Sequence, residues 1–505
     1  MEKKPGLYLA MLGAVYLYGS VCAASRRNFF FDEIITSYLA ELPDIRQIWP
    51  LIAKGIELNP PLPFWIAWGV RHSIGGGEIL SRLPAIFGYG LMCFSLYRFV
   101  GRRCGTVFGF VALLLPLFTY PAWDSAVARG YGLMLGMSGL AILSWQLATD
   151  RIRRPLSLAG VAIGLAGAVS CHYYAVYVAG AIAMGELFRT REQRRIDGAV
   201  WLALAAGVSP LAVLAPLLRS ASVGALKHFW VSPLPRFLYE SYADLLGPAM
   251  MVFLLLLVLA LWRGRDDAVP CAEEQVTGGL LRHEILVSLV LLAMPLIIYL
   301  AGFLGNVPFY SRYVQPVTIG FCIILPAFAH RIWGGDVRGR QFLISLMVWL
   351  CLFPWAFWQT CKVVVSAPPG VYLASYLSSS AGPLPLVFDS EADYLEYFYY
   401  AAPGARRNMF WLLNPGASIQ FRGSDTGQRS LAVAQTFRDL HVVDYREFLE
   451  NRLEFRVIRL HEEGWVVQSL LTDGANVRLE SLTKPLGYFV DSTSVFHVTA
   501  AGRSR

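Results

Sequence analysis

Charge is what this sequence has least of. Only 15% of its 505 residues are Asp, Glu, Lys or Arg, against about a quarter in soluble domains. Hydrophobic residues make up 56%. That balance excludes an ordinary soluble enzyme and fits a polytopic membrane protein. The net charge of +8 does not point to nucleic acid, because the arginines fall in short runs between apolar segments, the pattern that orients a membrane protein. The eight cysteines show no CxxC spacing, and none follows Cys361, so the polar C-terminal part has no internal disulfide. They read as isolated small core residues. Nor is there a glycine-rich phosphate loop, since Gly404, Gly416 and Gly423 lack its spacing. No internal repeat or low-complexity tract is visible.

What is present is a series of apolar segments. Eleven approach spanning length: 6–24, 81–100, 105–122, 131–149, 156–171, 173–188, 198–218, 248–262, 284–303, 314–330 and 342–361. The first follows two lysines and continues too long for a secretory signal, so it reads as an uncleaved first helix with a cytoplasmic N-terminus. The connections on that side then carry GRR, DRIRR, RTREQRR, RGR and RIWGGDVRGR, whereas the opposite connections carry few basic residues. Residues 60–74, with three prolines in four positions and Arg71 and His72 inside, read as a helix lying in the outer interface. Residues 25–80 thus form one large external loop. After residue 361 the composition turns polar. LPLVFDS, ASIQFRG and FRVIRL read as strands, SLAVAQTFRDL and DYREFLENRL as helices, giving an α/β domain over 362–505 on the same side as that loop.

The polar residues on the outer side become the candidate site. They are Asp32 and Glu33 in FFFDEIITSYLA, Asn59 before the double proline, Arg82, Asp124, Arg129, His172, Tyr173 and Arg312. A charge in hydrocarbon costs about 2.5–3.5 kcal/mol on insertion scales, so several at one level indicate a shared polar cavity. A carboxylate there can take a proton from an acceptor hydroxyl, and arginines can hold a phosphate and stabilise it as it leaves. Structural alternatives stand beside this: arginines that only snorkel to headgroups, a His172 satisfied inside the bundle, an Asp124 that only caps its turn. The cytoplasmic halves of the spans read as nearly free of ionisable residues, which disfavours a transporter or flippase of lipid-linked sugars.

Taken in order, FFFDEIITSYLA, NPPLPFW, SRLPAIFG, AVARGYGLMLG, CHYYAVYV and FYSRYVQP resemble the signatures of the GT-C membrane glycosyltransferases. The likeness is to the branch holding protein O-mannosyltransferases, lipid A aminoarabinose transferases and lipopolysaccharide-core sugar transferases, and it runs from about residue 7 to 330. It implies a GT-C fold of about 11 transmembrane helices in the bacterial inner membrane, with the tail as a periplasmic domain. It also implies inverting transfer of a sugar from a polyprenyl-phosphate carrier to an envelope glycolipid, glycan or protein. By the same resemblance Asp32 is the general base and Glu33 its support. Arg82, Arg129, His172, Tyr173, Arg312 and Tyr313 match donor-binding positions. Asn59 stands where the family has a basic residue, and Val127 where it often has an acid, for which Asp124 could compensate on a helical turn. These departures keep a non-catalytic homologue in view. The sequence argues for no cofactor, and members of the family it resembles differ on whether a divalent ion is used. The three phenylalanines read as the last turn of a membrane-dipped segment that ends at the acids.

Overall fold

The computed structural model describes residues 4–223, 234–266, 279–305, 309–333, 384–460, 464–483 and 493–500. The predicted span 342–361 and the predicted boundary at 361/362 lie outside these residues.

Sixteen helices precede the tail among the described residues. They are α1 (Pro5–Ser25), α2 (Phe31–Ala40), α3 (Ile48–Ala53), α4 (Leu62–Ser73), α5 (Glu78–Cys104), α6 (Thr106–Leu114), α7 (Tyr120–Asp124) and α8 (Tyr131–Thr149). Then come α9 (Arg154–Cys171), α10 (Val176–Gln193), α11 (Gly198–Val208), α12 (Pro210–Val223), α13 (Pro235–Asp266), α14 (Arg282–Leu292), α15 (Met294–Gly305) and α16 (Val317–Trp333). Five helical stretches are long and apolar enough to cross a membrane: Pro5–Ser25, Glu78–Cys104, Tyr131–Thr149, Arg154–Cys171 and Gly198–Ala221. A sixth arises if α14 and α15, bent by 48°, count as one span. The expected eleven are therefore not reached by length and composition within the described residues. Prolines explain part of the difference. The 105–122 segment breaks into α6, a 3₁₀ turn containing Pro116, and α7, and the α14–α15 bend precedes Pro295. The 60–74 segment forms α4, whose 12 residues rise only about 18 Å and are too few to span.

Helix α8 is the pivot of the bundle. Its sequence Gly132-Leu-Met-Leu-Gly136 puts two glycines on one face. A methyl group at Gly132 would overlap the backbone carbonyl of Ala85, and one at Gly136 that of Gly88. Helices α5 and α8 therefore touch backbone to backbone, in parallel register. Helix α9 packs on α8 in the opposite direction, with Gly160 against Ser144 and Gly164 against Ala141. These directions bring the start of α5, the start of α8 and the end of α9 to one end of the bundle.

The other end is also charged, against expectation. Glu186 and Glu284 are fully buried. Glu284 accepts two hydrogen bonds from Arg103 Nε (2.9 and 3.1 Å) and one from Gln146 Nε2 (2.9 Å), and Glu186 accepts from Arg189 and Trp145. Arg154 and Arg189 both donate to Asp197. The basic connections thus close into an ion-pair network, because a buried charge needs a partner. Cys93, Cys104, Cys171 and Cys322 are free and buried, Cys22 free and partly exposed.

The tail folds as a six-stranded sheet in the order β3-β2-β1-β4-β6-β5. The strands are β1 (Leu386–Phe388), β2 (Met409–Leu413), β3 (Val442–Asp444), β4 (Glu454–Arg459), β5 (Asn476–Thr483) and β6 (Thr493–Thr499). The first four are mutually parallel, and β6 is antiparallel to β4 and β5. ASIQFRG is helical rather than a strand. Asn414 caps the helix Pro415–Arg422 by accepting from Ala417 N, Pro415 sits at its first position, and Gly423 ends it in the left-handed region. The crevice where parallel sheets of this kind usually bind a ligand is filled from within. Buried Asp389, just after β1, accepts from Gly464, Val466 and Val467 N–H groups at the start of the helix Trp465–Thr472 and from Arg459 Nε (2.7 Å). The helix terminus that would bind a phosphate already holds a carboxylate.

Candidate active site

The two acids of FFFDEIITSYLA lie in the first turn of α2, not after the last turn of a preceding helix. The phenylalanine run instead packs under that turn. Phe29 is buried with Arg82 over its ring face at 5.1 Å. The acids then separate, because successive helix positions point about 100° apart.

Glu33 turns inward and has no exposed surface. Arg82, equally buried, binds it in fork fashion, Nε to Oε1 at 2.8 Å and Nη2 to Oε2 at 2.7 Å. The remaining N–H groups of Arg82 go to the carbonyls of Ala24 (2.6 Å), Arg27 (2.8 Å) and Asn28 (3.1 Å). All five donors are used within the protein, so the residue expected to hold a phosphate instead ties α5 to the end of α1 and the start of α2. Glu33 also accepts the backbone N–H of Ala128 at 2.7 Å, which pins the strand of chain leading to Arg129.

Asp32 turns outward, its side chain 34% exposed. The loss of bulk water in this enclosed setting raises its carboxyl above the usual range, opposed by the Arg129 guanidinium. Arg129 Nη2 lies 3.8 Å from Asp32 Oδ2, while its Nη1 donates to Glu57 Oε2 at 2.5 Å. Burial acts to raise Glu57, but Arg129 outweighs it and holds the carboxyl below its ordinary value. Glu57 also accepts from Leu58 N (2.9 Å) and Asn59 Nδ2 (3.1 Å). The amide of Asn59 therefore orients a carboxylate.

Arg129 is thus held by Glu57, and Asp124 makes no ion pair with it among the described residues. Asp124 closes α7 and accepts Gln315 Nε2 at 2.6 Å. Burial raises its carboxyl to about 6, against the opposing charges of Arg312 and Arg27. Arg312, in the turn before α16, stacks near Tyr310 at 5.9 Å. Among the described residues no carboxylate lies within ion-pair reach of it. Arg27 lies over Trp123 at 4.5 Å, and its Nη1 is buried without a hydrogen-bond partner among the described residues.

His172 forms the back of the site. Its ring centre is 5.5 Å from Tyr131, 5.5 Å from Tyr174 and 5.3 Å from Tyr313. Nδ1 accepts from Tyr174 N at 3.3 Å, which places the ring proton on Nε2. Burial first, and Arg129 next, push its pKa down to about 3, so it stays neutral. Tyr173 points away from this cage and packs with the apolar cluster shared by residues 29–64 and the tail. Among the described residues no group of three or more His, Cys, Asp or Glu side chains converges on a metal-sized site.

The structure therefore gathers Asp32, Arg129, Asp124, Arg312, Tyr313 and His172 at one end of the bundle, with Glu33 and Arg82 beneath. Sequence reasoning missed Glu57, Arg27, Tyr131 and Gln315. A signal existed for Glu57, the sole acid between Asp44 and Glu78 in an otherwise apolar and basic stretch.

No protein-family model and no curated protein sequence matches the chain. Solved structures do. ArnT from Cupriavidus metallidurans bound to undecaprenyl phosphate superposes with a TM-score of 0.53 at 12% identity, covering 97% of this chain and 98% of that one. The apo state of the same protein gives 0.54 at 12% identity, covering 97% of each chain. The archaeal oligosaccharyltransferase AglB from Archaeoglobus fulgidus, solved with an inhibitory peptide and a dolichol-phosphate, gives 0.48 at 11% identity and covers 90% of this chain and 70% of that one. Identity this low speaks to fold alone, and the ArnT likeness extends over nearly the whole of both chains: this protein has the fold of the GT-C membrane glycosyltransferases.

Proposed function

We propose that this protein is an inverting glycosyltransferase that moves a sugar from a polyprenyl-phosphate carrier to an acceptor hydroxyl at the outer face of a bacterial inner membrane. One observation carries the reading. A partly exposed carboxylate, Asp32, stands beside a buried arginine that is itself held by a second carboxylate, Glu57, with a further arginine, Arg312, nearby and unpaired with any carboxylate among the described residues. In the reaction, the acceptor oxygen attacks the anomeric carbon from the face opposite the phosphate and gives its proton to Asp32. The bond from that carbon to the phosphate oxygen breaks, and its electron pair leaves on the carrier phosphate. Arg312 and Arg27, whose charges both act on Asp124, offer charge-assisted donors for that phosphate. Glu57 keeps Arg129 next to Asp32, which sets the base's charge and direction. Arg82 and Glu33 hold the platform. The tyrosines around His172 supply apolar faces and hydroxyls of the kind that line sugar sites.

Undecaprenyl phosphate, bound in the ArnT structure, is the natural first carrier to test. Purified protein in lipid nanodiscs is incubated with radiolabelled polyprenyl-phosphate sugars and an envelope glycolipid extract. Release of free carrier phosphate together with an acceptor product of inverted anomeric configuration supports the proposal. A transporter would move the intact donor without releasing carrier phosphate.

A further inference from the structure

We propose that the tail domain positions the acid helix α2, with Glu396 accepting the first N–H of that helix, while Glu33 in its own sequence accepts only the N–H of the preceding Phe30. The proposal rests on the transferase reading for its catalytic consequence, and on geometry alone for its structural one.

A helix leaves its first N–H groups without partners, and Ser, Thr, Asp or Asn at the preceding position normally satisfies one of them. Here the preceding position is Phe30, inside Phe29-Phe30-Phe31, and its side chain offers no acceptor. The first N–H of α2, that of Phe31, donates instead to Glu396 Oε1 at 3.0 Å, across 365 positions of sequence. A carboxylate at that end also opposes the positive end of the helix dipole. Two residues upstream, Phe29 N donates to Tyr400 Oη at 2.6 Å, and Tyr400 in turn donates to Glu78 at the start of α5. Glu396 and Tyr400 both belong to the tail helix Glu391–Tyr400.

The same domain grips α2 at its other end and grips the second acid segment too. Arg438 donates to the carbonyl of Tyr38 (3.1 Å) and to Glu41 Oε2 (2.7 Å), with its guanidinium over the Tyr38 ring at 4.7 Å. Ser430 Oγ donates to the carbonyl of Ile56 at 2.8 Å, one residue before Glu57. Beneath these bonds Phe29, Ile34, Leu39 and Ile56 share one apolar cluster with Phe388, Tyr394 and Phe398 of the tail. Asp32 and Glu57 come from segments 25 positions apart, and the tail is bonded to both. Their spacing around Arg129 is set by a surface that neither segment carries.

The test uses the full chain in nanodiscs and the variants Glu396→Ala, Glu396→Gln and Ser430→Ala. Hydrogen exchange is followed in peptides covering 29–40 and 54–60. Glu396→Ala should speed exchange at the start of α2 by about five- to tenfold, the effect of one lost cap. Glu396→Gln, which keeps an acceptor oxygen, should restore most of the protection. With a polyprenyl-phosphate sugar that the unmutated protein turns over, Glu396→Ala should lower kcat by a similar factor and leave the donor KM within about twofold. Unchanged exchange in 29–40 for Glu396→Ala overturns the proposal, and so does a Gln variant as unprotected as the Ala variant. If Glu396→Ala loosens the tail as a whole, Ser430→Ala decides: faster exchange confined to 54–60 supports positioning, and none contradicts it. If the unmutated protein releases no carrier phosphate, the transferase reading fails while the exchange results still decide the positioning role.

Discussion

At the residue scale, two neighbouring acids that differ by one methylene do opposite things. Glu33 is enclosed with Arg82 and makes the loop rigid, while Asp32 faces outward and keeps a raised carboxyl. Arg82→Ala leaves Glu33 buried without its counter-charge, a situation that costs about 3–5 kcal/mol. Thermal unfolding in detergent should register that loss, and Arg82→Lys should recover little, since an ammonium cannot reproduce the fork and three carbonyl contacts. Asp124 gives a pH-dependent counterpart. Its folded carboxyl sits at about 6, above the ordinary Asp value of 3.8, so between those values the folded state binds the extra proton and stability falls as pH rises. Asp124→Asn, which keeps an acceptor for Gln315, should flatten the stability profile between pH 4 and 6; an unchanged slope would refute this assignment. Arg312→Ala should weaken undecaprenyl phosphate binding about 10-fold or more, the worth of a charged hydrogen bond, measured by titration in nanodiscs. Asp32 was legible because paired acids between apolar flanks are costly to keep. The job of Arg82 was not, since counting donors needs the carbonyls of Ala24, Arg27 and Asn28, which only the fold brings near.

At the element scale, the contact of α5 with α8 decides whether Arg82 and Arg129 stand together. Gly132→Ala places a methyl group against the Ala85 carbonyl, and Gly136→Leu a larger group against Gly88. Both should separate the helices and weaken the Glu33–Ala128 bond. The expected outcome is a lower unfolding temperature, larger for Gly136→Leu, with loss of transfer exceeding loss of expression. The GxxxG spacing was open to reading in GYGLMLG, although its partner face was not. Apolar runs were legible as helices, but proline breaks and a 48° bend between α14 and α15 divide what hydropathy alone joins. In the tail, alternation in ASIQFRG suggested a strand, whereas Asn414, Pro415 and Gly423 were helix-boundary signals in the same stretch. The local signal conflicted, and the caps won.

At the scale of the whole molecule, the bundle has two polar ends with different chemistry. At one, Glu186, Glu284, Asp150 and Asp197 are each matched to arginines. The other keeps a one-third exposed carboxylate and an arginine with no carboxylate in reach among the described residues. Loop charge made the first end visible in the sequence, though not its closure into buried pairs, because pairing depends on which helix ends meet. The order of motifs made the GT-C fold legible, and the likeness to ArnT agrees with it. The covering of α2 and its flanking loop by the tail was not legible, since it joins residues some 365 to 400 positions apart.

If Asp32 is the base of a sugar transfer, removing its charge stops the chemistry and spares carrier binding. Unmutated protein and Asp32→Asn are given the same radiolabelled polyprenyl-phosphate sugar, and release of carrier phosphate is measured alongside undecaprenyl phosphate binding. The expected outcome is release by the unmutated protein, a fall of at least about 100-fold in the Asn variant, and binding kept by both. Undiminished release by Asp32→Asn would contradict it.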